Sequence, residues 1–192
     1  MIPRRIAIVG GSGAGKTTLA RKLAELIDGV LVEVDAIQHK AHWMKAATEE
    51  ISTGIREALE GKTTWAIDGI CEREVGDLIV NNADVIVWLD LPLAVKLARL
   101  LRRSWRRVLT RAVLWNGNVE TWTGVFIGRD SVSAHPLRTH FAQRRRMLGH
   151  ADHAKKSVRL TSPREVDSSV AALLQKLDAS RQGSQPGSFV AE

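Results

Sequence analysis

Eight residues near the start of the chain carry the plainest chemistry. Gly10-Gly11-Ser12-Gly13-Ala14-Gly15-Lys16-Thr17 has the spacing G-x-x-x-x-G-K-[ST]. Glycines at these places let the backbone wrap an anion, with successive N–H groups pointing inward. A helix opening at Lys16 adds its positive end to the same spot. Lys16 is then placed to reach the β- and γ-phosphates of ATP and the Thr17 hydroxyl to hold Mg2+, with Thr18 joining the nucleotide-binding set. Chance would give such a match in roughly one chain of this length in a hundred. A predicted strand before it and a predicted helix after it make chance rarer still. The loop alone serves kinases, ATPases and GTPases. A GTPase normally carries an N/T-K-x-D motif, which this sequence lacks. A motor or transporter ATPase is normally longer, so the short chain favours a kinase that closes over a small acceptor.

Three carboxylates stand where strands are predicted to end: Asp35, Asp68 and Asp90. Asp68 and Asp90 both follow apolar runs that could support a metal, and spacing does not choose between them. Asp35 is placed to orient or deprotonate an acceptor hydroxyl, or else to cap the segment that follows. His39 and Trp43, four residues apart, lie close enough to join it. Arg99, Arg103 and Arg106 are spaced i, i+4 and i+7, which sets them on one helix face over roughly 10 Å. Leu97, Leu100, Leu101 and Val108 form the opposing apolar stripe. Phosphoryl transfer spreads charge over the γ-phosphoryl oxygens, which gives Arg99, Arg103 and one of Arg144, Arg145 or Arg146 work to do. The other arginines read as a solvated face. Trp105, Trp115 and Trp122 fall in the same stretch and suit cation–π packing or base stacking, but an anchor for a segment with little core is the simpler account.

The elements that must position these groups follow from periodicity. Arg5–Val9 reads as a buried strand and Lys16–Ile27 as a helix; Val30–Val34 reads as a strand and Thr48–Glu60 as a helix. Thr64–Asp68 and Asp84–Leu89 are further strands. Pro92 to about Arg107 reads as a helix, Asn116–Ser133 as less regular and His135–Leu148 as a helix. Ser157–Leu160 is a fifth strand, Pro163–Leu177 a last helix, and residues 180–192 a loose tail. Strands alternating with helices predict a five-stranded parallel sheet covered on both faces, a three-layer α/β/α P-loop NTPase fold. Residues 1–179 are expected to form one domain, with an Arg-rich helical lid insertion at about 103–146.

Composition narrows the partners. The 192 residues carry 28 Lys plus Arg against 21 Asp plus Glu, a net charge of +7. From Arg99 to Arg146 there are eleven Arg and no Lys against Glu120 and Asp130, so this window holds +9 and the rest about −2. Dense guanidinium implies phosphate-bearing partners. The longest apolar runs, such as Val85–Leu89, fall far short of the roughly 20 residues that span a bilayer. A single Cys71 forbids an internal disulfide, and no ligand spacing marks a zinc site. With no apolar leader before the glycine-rich loop, a cytoplasmic setting is expected.

The order of these pieces resembles the adenylate-kinase-like P-loop kinases. It is most similar to the bacterial group labelled DNA topology modulation proteins. The likeness rests on Glu33-Val34-Asp35-Ala36-Ile37-Gln38-His39 with Trp43, Trp65-Ala66-Ile67-Asp68-Gly69, Leu114-Trp115-Asn116-Gly117-Asn118-Val119-Glu120 and Ser162-Pro163-Arg164-Glu165-Val166. It covers about residues 4–177. The resemblance implies that Asp68 supports Mg2+, Asp35 meets an acceptor hydroxyl, Arg99 and Arg103 clamp phosphate, and Ser162 and Pro163 pass the adenine. Where the group shows Asn and Tyr after Asp-Gly, this chain has Ile70 and Cys71. The expected activity is transfer of the ATP γ-phosphoryl to a nucleotide or small hydroxyl compound. The alternatives are a nucleic-acid-associated P-loop ATPase and an ATP-binding scaffold without an acceptor.

Overall fold

Strand β1 (Arg5–Gly10) runs through the middle of the molecule, with its side chains alternating between two buried faces. Ile6 and Ile8 point to one layer, Ala7 and Val9 to the other, all at most 2% exposed. Apolar residues on both faces explain why the strand reads as a continuous hydrophobic run. The computed structural model describes residues 3–69, 73–128, 131–151 and 157–182. β2 (Val30–Glu33), β3 (Trp65–Asp68), β4 (Val85–Leu89) and β5 (Ser157–Leu160) complete one parallel sheet in the order β2-β3-β1-β4-β5. This is the expected five-stranded sheet.

Helices cover both faces. α1 (Lys16–Leu26) sets Leu19, Ala20, Leu23 and Ala24 against Ile6 and Ile8, and Val170 of α8 (Pro163–Gln182) joins that layer. On the other face α3 (Thr48–Leu59) and α4 (Arg73–Asn82) bring Ile51, Ile55, Val75 and Ile79 against Val9, Ile67 and Trp88. The chain leaves β1 for the β2 side of the sheet and later returns to β4 on the other. The switch point thus falls at the carboxyl end of β1, where such sheets bind ligands.

Several expectations shift. The second strand stops at Glu33, and Asp35 lies in the first turn of a short helix, α2 (Val34–Gln38), rather than at a strand end. α4 was not expected; a crossover between the parallel strands β3 and β4 demands such an element, and Val75, Leu78 and Ile79 supply its apolar face. α5 (Leu93–Thr110) runs longer than expected. The stretch read as irregular holds a single helical turn at Trp115–Gly117 and a short helix, α6 (Trp122–Phe126). α7 (Ala134–Ala151) follows it. α8 extends to Gln182, so the first residues of the expected tail are helical, while 183–192 lie outside the described residues. Among the described residues no helix is long and apolar enough to cross a membrane.

The tryptophans of the Arg-rich stretch divide. Trp105 on α5 meets Trp122 edge-on at 4.8 Å between centroids, and Trp122 stacks on Phe126 at 5.8 Å. These rings fasten α6 to α5, the anchoring role. Trp115 serves elsewhere.

Candidate active site

The phosphate loop is shaped by its neighbours as much as by its glycines. Gly10 has φ +148°, and a Cβ there would lie 2.7 Å from the Leu89 carbonyl of β4. Gly13, at φ +80°, is closed in by α5, whose Lys96 carbonyl occupies the place a side chain would need. The Ala14 N–H donates to the Gly11 carbonyl at 3.1 Å and tightens the turn. Gly15, left-handed at φ +95°, is the N-cap of α1 and offers no side chain to its opening N–H groups. Those of Lys16, Thr17 and Thr18 stand at the positive end of the helix, as an anion requires. Ser12 and Lys16 line the adjoining cavity.

Beside the loop the Thr17 hydroxyl, in the first turn of α1, donates to Asp68 Oδ2 at the end of β3. Asp68 is 4% exposed, and its other oxygen, Oδ1, is buried without a hydrogen-bond partner. Burial raises the Asp68 pKa above the ordinary carboxylate value; Asp35 and Glu33 add to the rise, while Lys16 and the Thr17 bond oppose it. An orphaned carboxylate oxygen beside a hydroxyl fits a hydrated Mg2+. Among the described residues no group of three or more His, Cys, Asp or Glu gathers as a metal site. The donor set therefore suits an ion shared with phosphates rather than a cage made by protein alone.

Asp90, the rival for the metal, is placed differently. Its Oδ2 accepts from Arg144 Nε at 3.0 Å and from Arg159 Nε at 3.0 Å and Nη2 at 2.5 Å. Arg159 in turn lies over the Trp88 ring, 4.8 Å from its centroid. The carboxylate is thus occupied in tying β4, β5 and α7 together.

A cavity of about 420 Å³ opens from the loop. Gly10, Gly11, Ser12 and Lys16 line it, as do Asp35, Gln38 and Lys45 from the segment after β2, and His140, Gln143 and Arg144 from α7. Asp35 is exposed to this space. Arg103 is exposed and does not line the cavity; desolvation of its guanidinium and then Arg107 lower its pKa, while Glu120, Asp35 and Asp68 oppose the fall. Arg99, also exposed and absent from the cavity lining, donates a long 3.4 Å bond from Nη1 to the Ala14 carbonyl. Arg106 and Arg145 are exposed. The Arg146 side chain, with Ile70 and Cys71, lies outside the described residues.

Two similar turns face one another beside the cavity. Ala41–Trp43 and Trp115–Gly117 each make a single helical turn, flanked by the bridges His39–Lys45 and Val113–Val119. Asn118, 3% exposed, binds them: Oδ1 accepts from the Trp43 N–H at 2.9 Å, and Nδ2 donates to the Lys40 carbonyl at 2.9 Å. Asn116 Nδ2 donates to the Ala36 carbonyl at 3.1 Å, and Trp115 Nε1 to Glu33 Oε2 at 2.8 Å. His39 is held between the indoles, 5.5 Å from Trp43 and 6.4 Å from Trp115. It packs in the clasp and does not line the cavity. Two motif segments far apart in sequence, 33–43 and 115–118, thus meet beside Asp35.

Ser162 and Pro163 open α8, where Ser162 Oγ accepts from the Glu165 N–H at 3.2 Å. They do not line the cavity. One buried, cavity-lining position escaped the sequence reading. Lys96 takes an inward place on α5 in line with Leu100, Ser104 and Val108, and is 4% exposed. The signal was its i, i+4 spacing from Leu100, overridden by the rule that lysines face water.

No family model and no curated protein sequence matches the chain. Solved structures do. The shikimate kinase from Acinetobacter baumannii, in complex with shikimate, is 18% identical over 94% of this chain and 96% of its own, with a TM-score of 0.53. The shikimate kinase from Bacteroides thetaiotaomicron is 17% identical over 92% of this chain and 99% of its own, with a TM-score of 0.52. The fold is that of the P-loop kinases. The α/β/α layering and the strand order around the P-loop follow from it. Identity this low carries the fold alone and leaves the acceptor to the geometry.

Proposed function

We propose that the chain is an ATP- and Mg2+-dependent phosphotransferase of the nucleoside monophosphate kinase-like type, moving the γ-phosphoryl of ATP to a small acceptor. One observation carries this reading. Lys16 and Asp35 line one cavity, and both lie within electrostatic reach of the buried Asp68 carboxylate that the Thr17 hydroxyl binds, so phosphate, metal support and a carboxylate for a hydroxyl stand close together. Loop N–H groups and Lys16 hold the β- and γ-phosphates. Thr17 and Asp68 are the residues to hold Mg2+, which supplies neutralising charge to those phosphates when bound. Asp35 orients the acceptor hydroxyl and takes its proton as oxygen bonds to phosphorus and ADP leaves. Arg103 and Arg99 counter the charge spread over the transferring group. The segment 103–146 acts as a lid, and α7 along the cavity excludes water. Ser162 and Pro163 are assigned to the adenine side on the motif resemblance to the topology modulation group. A neighbour of this fold that holds shikimate supports a small hydroxyl compound as acceptor alongside nucleotides.

The test is transfer of label from γ-labelled ATP and Mg2+ to a panel of nucleotides, nucleosides and small alcohols, with DNA as a separate arm. Label on one small molecule, lost in Lys16→Ala while the fold persists by circular dichroism, is the expected result. Activity unchanged in Lys16→Ala overturns the reading. Label released only as phosphate, and faster with DNA, decides for the nucleic-acid-associated ATPase.

A further inference from the structure

Lys96 is a buried ammonium set against the phosphate loop. Its Nζ donates to His140 Nδ1 of α7 at 2.7 Å, and His140 is itself 9% exposed. A Cβ placed on Gly11 would lie 3.1 Å from Lys96 Nζ and 3.3 Å from Gln143 Oε1. Lys96, His140 and Gln143 line the cavity that Lys16 lines. The charges facing Lys96 are Lys16 and Arg144, of its own sign, and Asp90, of the opposite one. Asp90 already serves Arg144 and Arg159. An ammonium removed from water, bonded to a neutral ring and crowded by two cations, is costly until an anion reaches it. It has three N–H donors, and the bond to His140 uses one.

We propose that Lys96 is a second phosphate-binding lysine, whose ammonium takes an oxygen of the terminal phosphate of a bound triphosphate while His140 holds it in place at the loop. The inference rests on the reading of the loop as an ATP site and adds a residue to it. It gives α5 a direct part in binding: the helix that closes against Gly13 also delivers a cation beside Gly11. It also ties α7 to the loop, since the side chain that retains Lys96 lies on the cavity-lining helix.

The experiment measures binding of inorganic tripolyphosphate and of ATP to the full chain by titration calorimetry, with melting curves beside it. Lys96→Met removes the charge at similar volume, a change that buried ionic sites commonly tolerate. It is expected to weaken both ligands about tenfold or more, the scale of a charge-assisted hydrogen bond. His140→Leu, which removes the retaining acceptor but leaves the charge, is expected to weaken tripolyphosphate clearly less than Lys96→Met does, because the ammonium keeps donors for phosphate. If Lys96→Met fails to fold, Lys96→Gln, which still donates to His140, replaces it in the same comparison. Undiminished affinity in the folded Lys96 variant overturns the inference and leaves the kinase reading standing. Equal losses in the Lys96 and His140 variants also overturn it, since the pair would then only support packing. Failure of the wild type to bind either ligand overturns both readings.

Discussion

Asn118→Ala tests whether the clasp beside the cavity is a structural joint. The side chain is 3% exposed and makes three hydrogen bonds at 2.9 Å, with the Trp43 N–H and with the Lys40 and Trp115 carbonyls. Each such bond contributes about 1 kcal/mol net, and a buried group left without a partner costs about 1–3 kcal/mol. Lys40 and Trp43 are exposed residues, so water reaches part of what the substitution uncovers. The cost should therefore sit near the simple sum, about 2–3 kcal/mol. A domain of this kind has about 5–15 kcal/mol in all, so the loss is large. With a urea slope of about 2 kcal/mol/M, the unfolding midpoint should fall by about 1 M or slightly more. Asn118→Asp keeps the acceptor for Trp43 but sets a carboxylate against two carbonyls, and should cost as much.

The assay is urea unfolding followed by tryptophan fluorescence, with ATP binding measured on the folded variant. ATP affinity should hold, because the clasp touches the segment after β2 and not the loop. Acceptor-dependent turnover should fall, because that segment carries Asp35, Gln38 and Lys45. A destabilisation under about 0.5 kcal/mol, the range of ordinary surface changes, would refute the reasoning. So would a loss of ATP affinity that matched the loss of turnover.

The other predictions concern the carboxylates and His140. Asp68→Asn should weaken the Mg2+ dependence of ATP binding about tenfold or more, the scale on which groups supporting a bound metal act, whereas Asp90→Asn should leave it intact; the reverse order, read by Mg2+ titration, would reassign the metal. The raised Asp68 pKa means that the folded state keeps its proton above the ordinary 3.8, so stability falls as pH rises through that window, and Asp68→Asn should melt higher than wild type at neutral pH without ligand. Asp90→Asn should cost about 1 kcal/mol, because Arg144 and Arg159 are half-exposed and solvent screens the pairs. Burial, then Lys96, lowers the His140 pKa from 6.5, with Arg144 adding and Asp90 opposing. The unfolded chain thus takes the proton first, stability drops as pH falls below about 6.5, and melting curves of His140→Leu should lose that part of the slope.

The loop was legible because its demands are local: glycines for φ values near +80° and +95°, a lysine and a hydroxyl at fixed offsets, then a helix. β1 was legible because two buried faces leave it no polar positions. α4 escaped because Gly76 and the β-branched Val75, Ile79 and Val80 weaken a helical reading that only the crossover requires. Asp35 was assigned to a strand end because the polar residues of α2 occupy barely more than one turn, too short for a period to appear. Asn118 read as turn chemistry; its partner Trp43 lies 75 residues away, and no local pattern encodes such a pairing. The choice between Asp68 and Asp90 was closed to spacing for the same reason. What separates them is Arg159, 69 residues from Asp90, and Thr17, 51 residues from Asp68.

The destinations of the arginines recast the charge of the segment 99–146. Arg107 binds Glu120 at 2.7 Å, and Arg144 shares Asp90 with Arg159, so part of the excess holds α5, α7 and β5 in place. Arg99 and Arg103 are also exposed, but Arg99 donates to the Ala14 carbonyl of the loop and Arg103 lies within electrostatic reach of Asp35 and Asp68. Arg102, Arg106 and Arg145 face solvent, where water and salt screen each pairwise contact. Their physical effect is on approach: a positive rim draws polyanions toward the cavity and speeds encounter without selecting among them. Selection then falls to the few cations removed from water, where a misplaced phosphate leaves an ammonium unpaired. Lys96 meets that condition, although its charge is indistinguishable in composition from that of the rim.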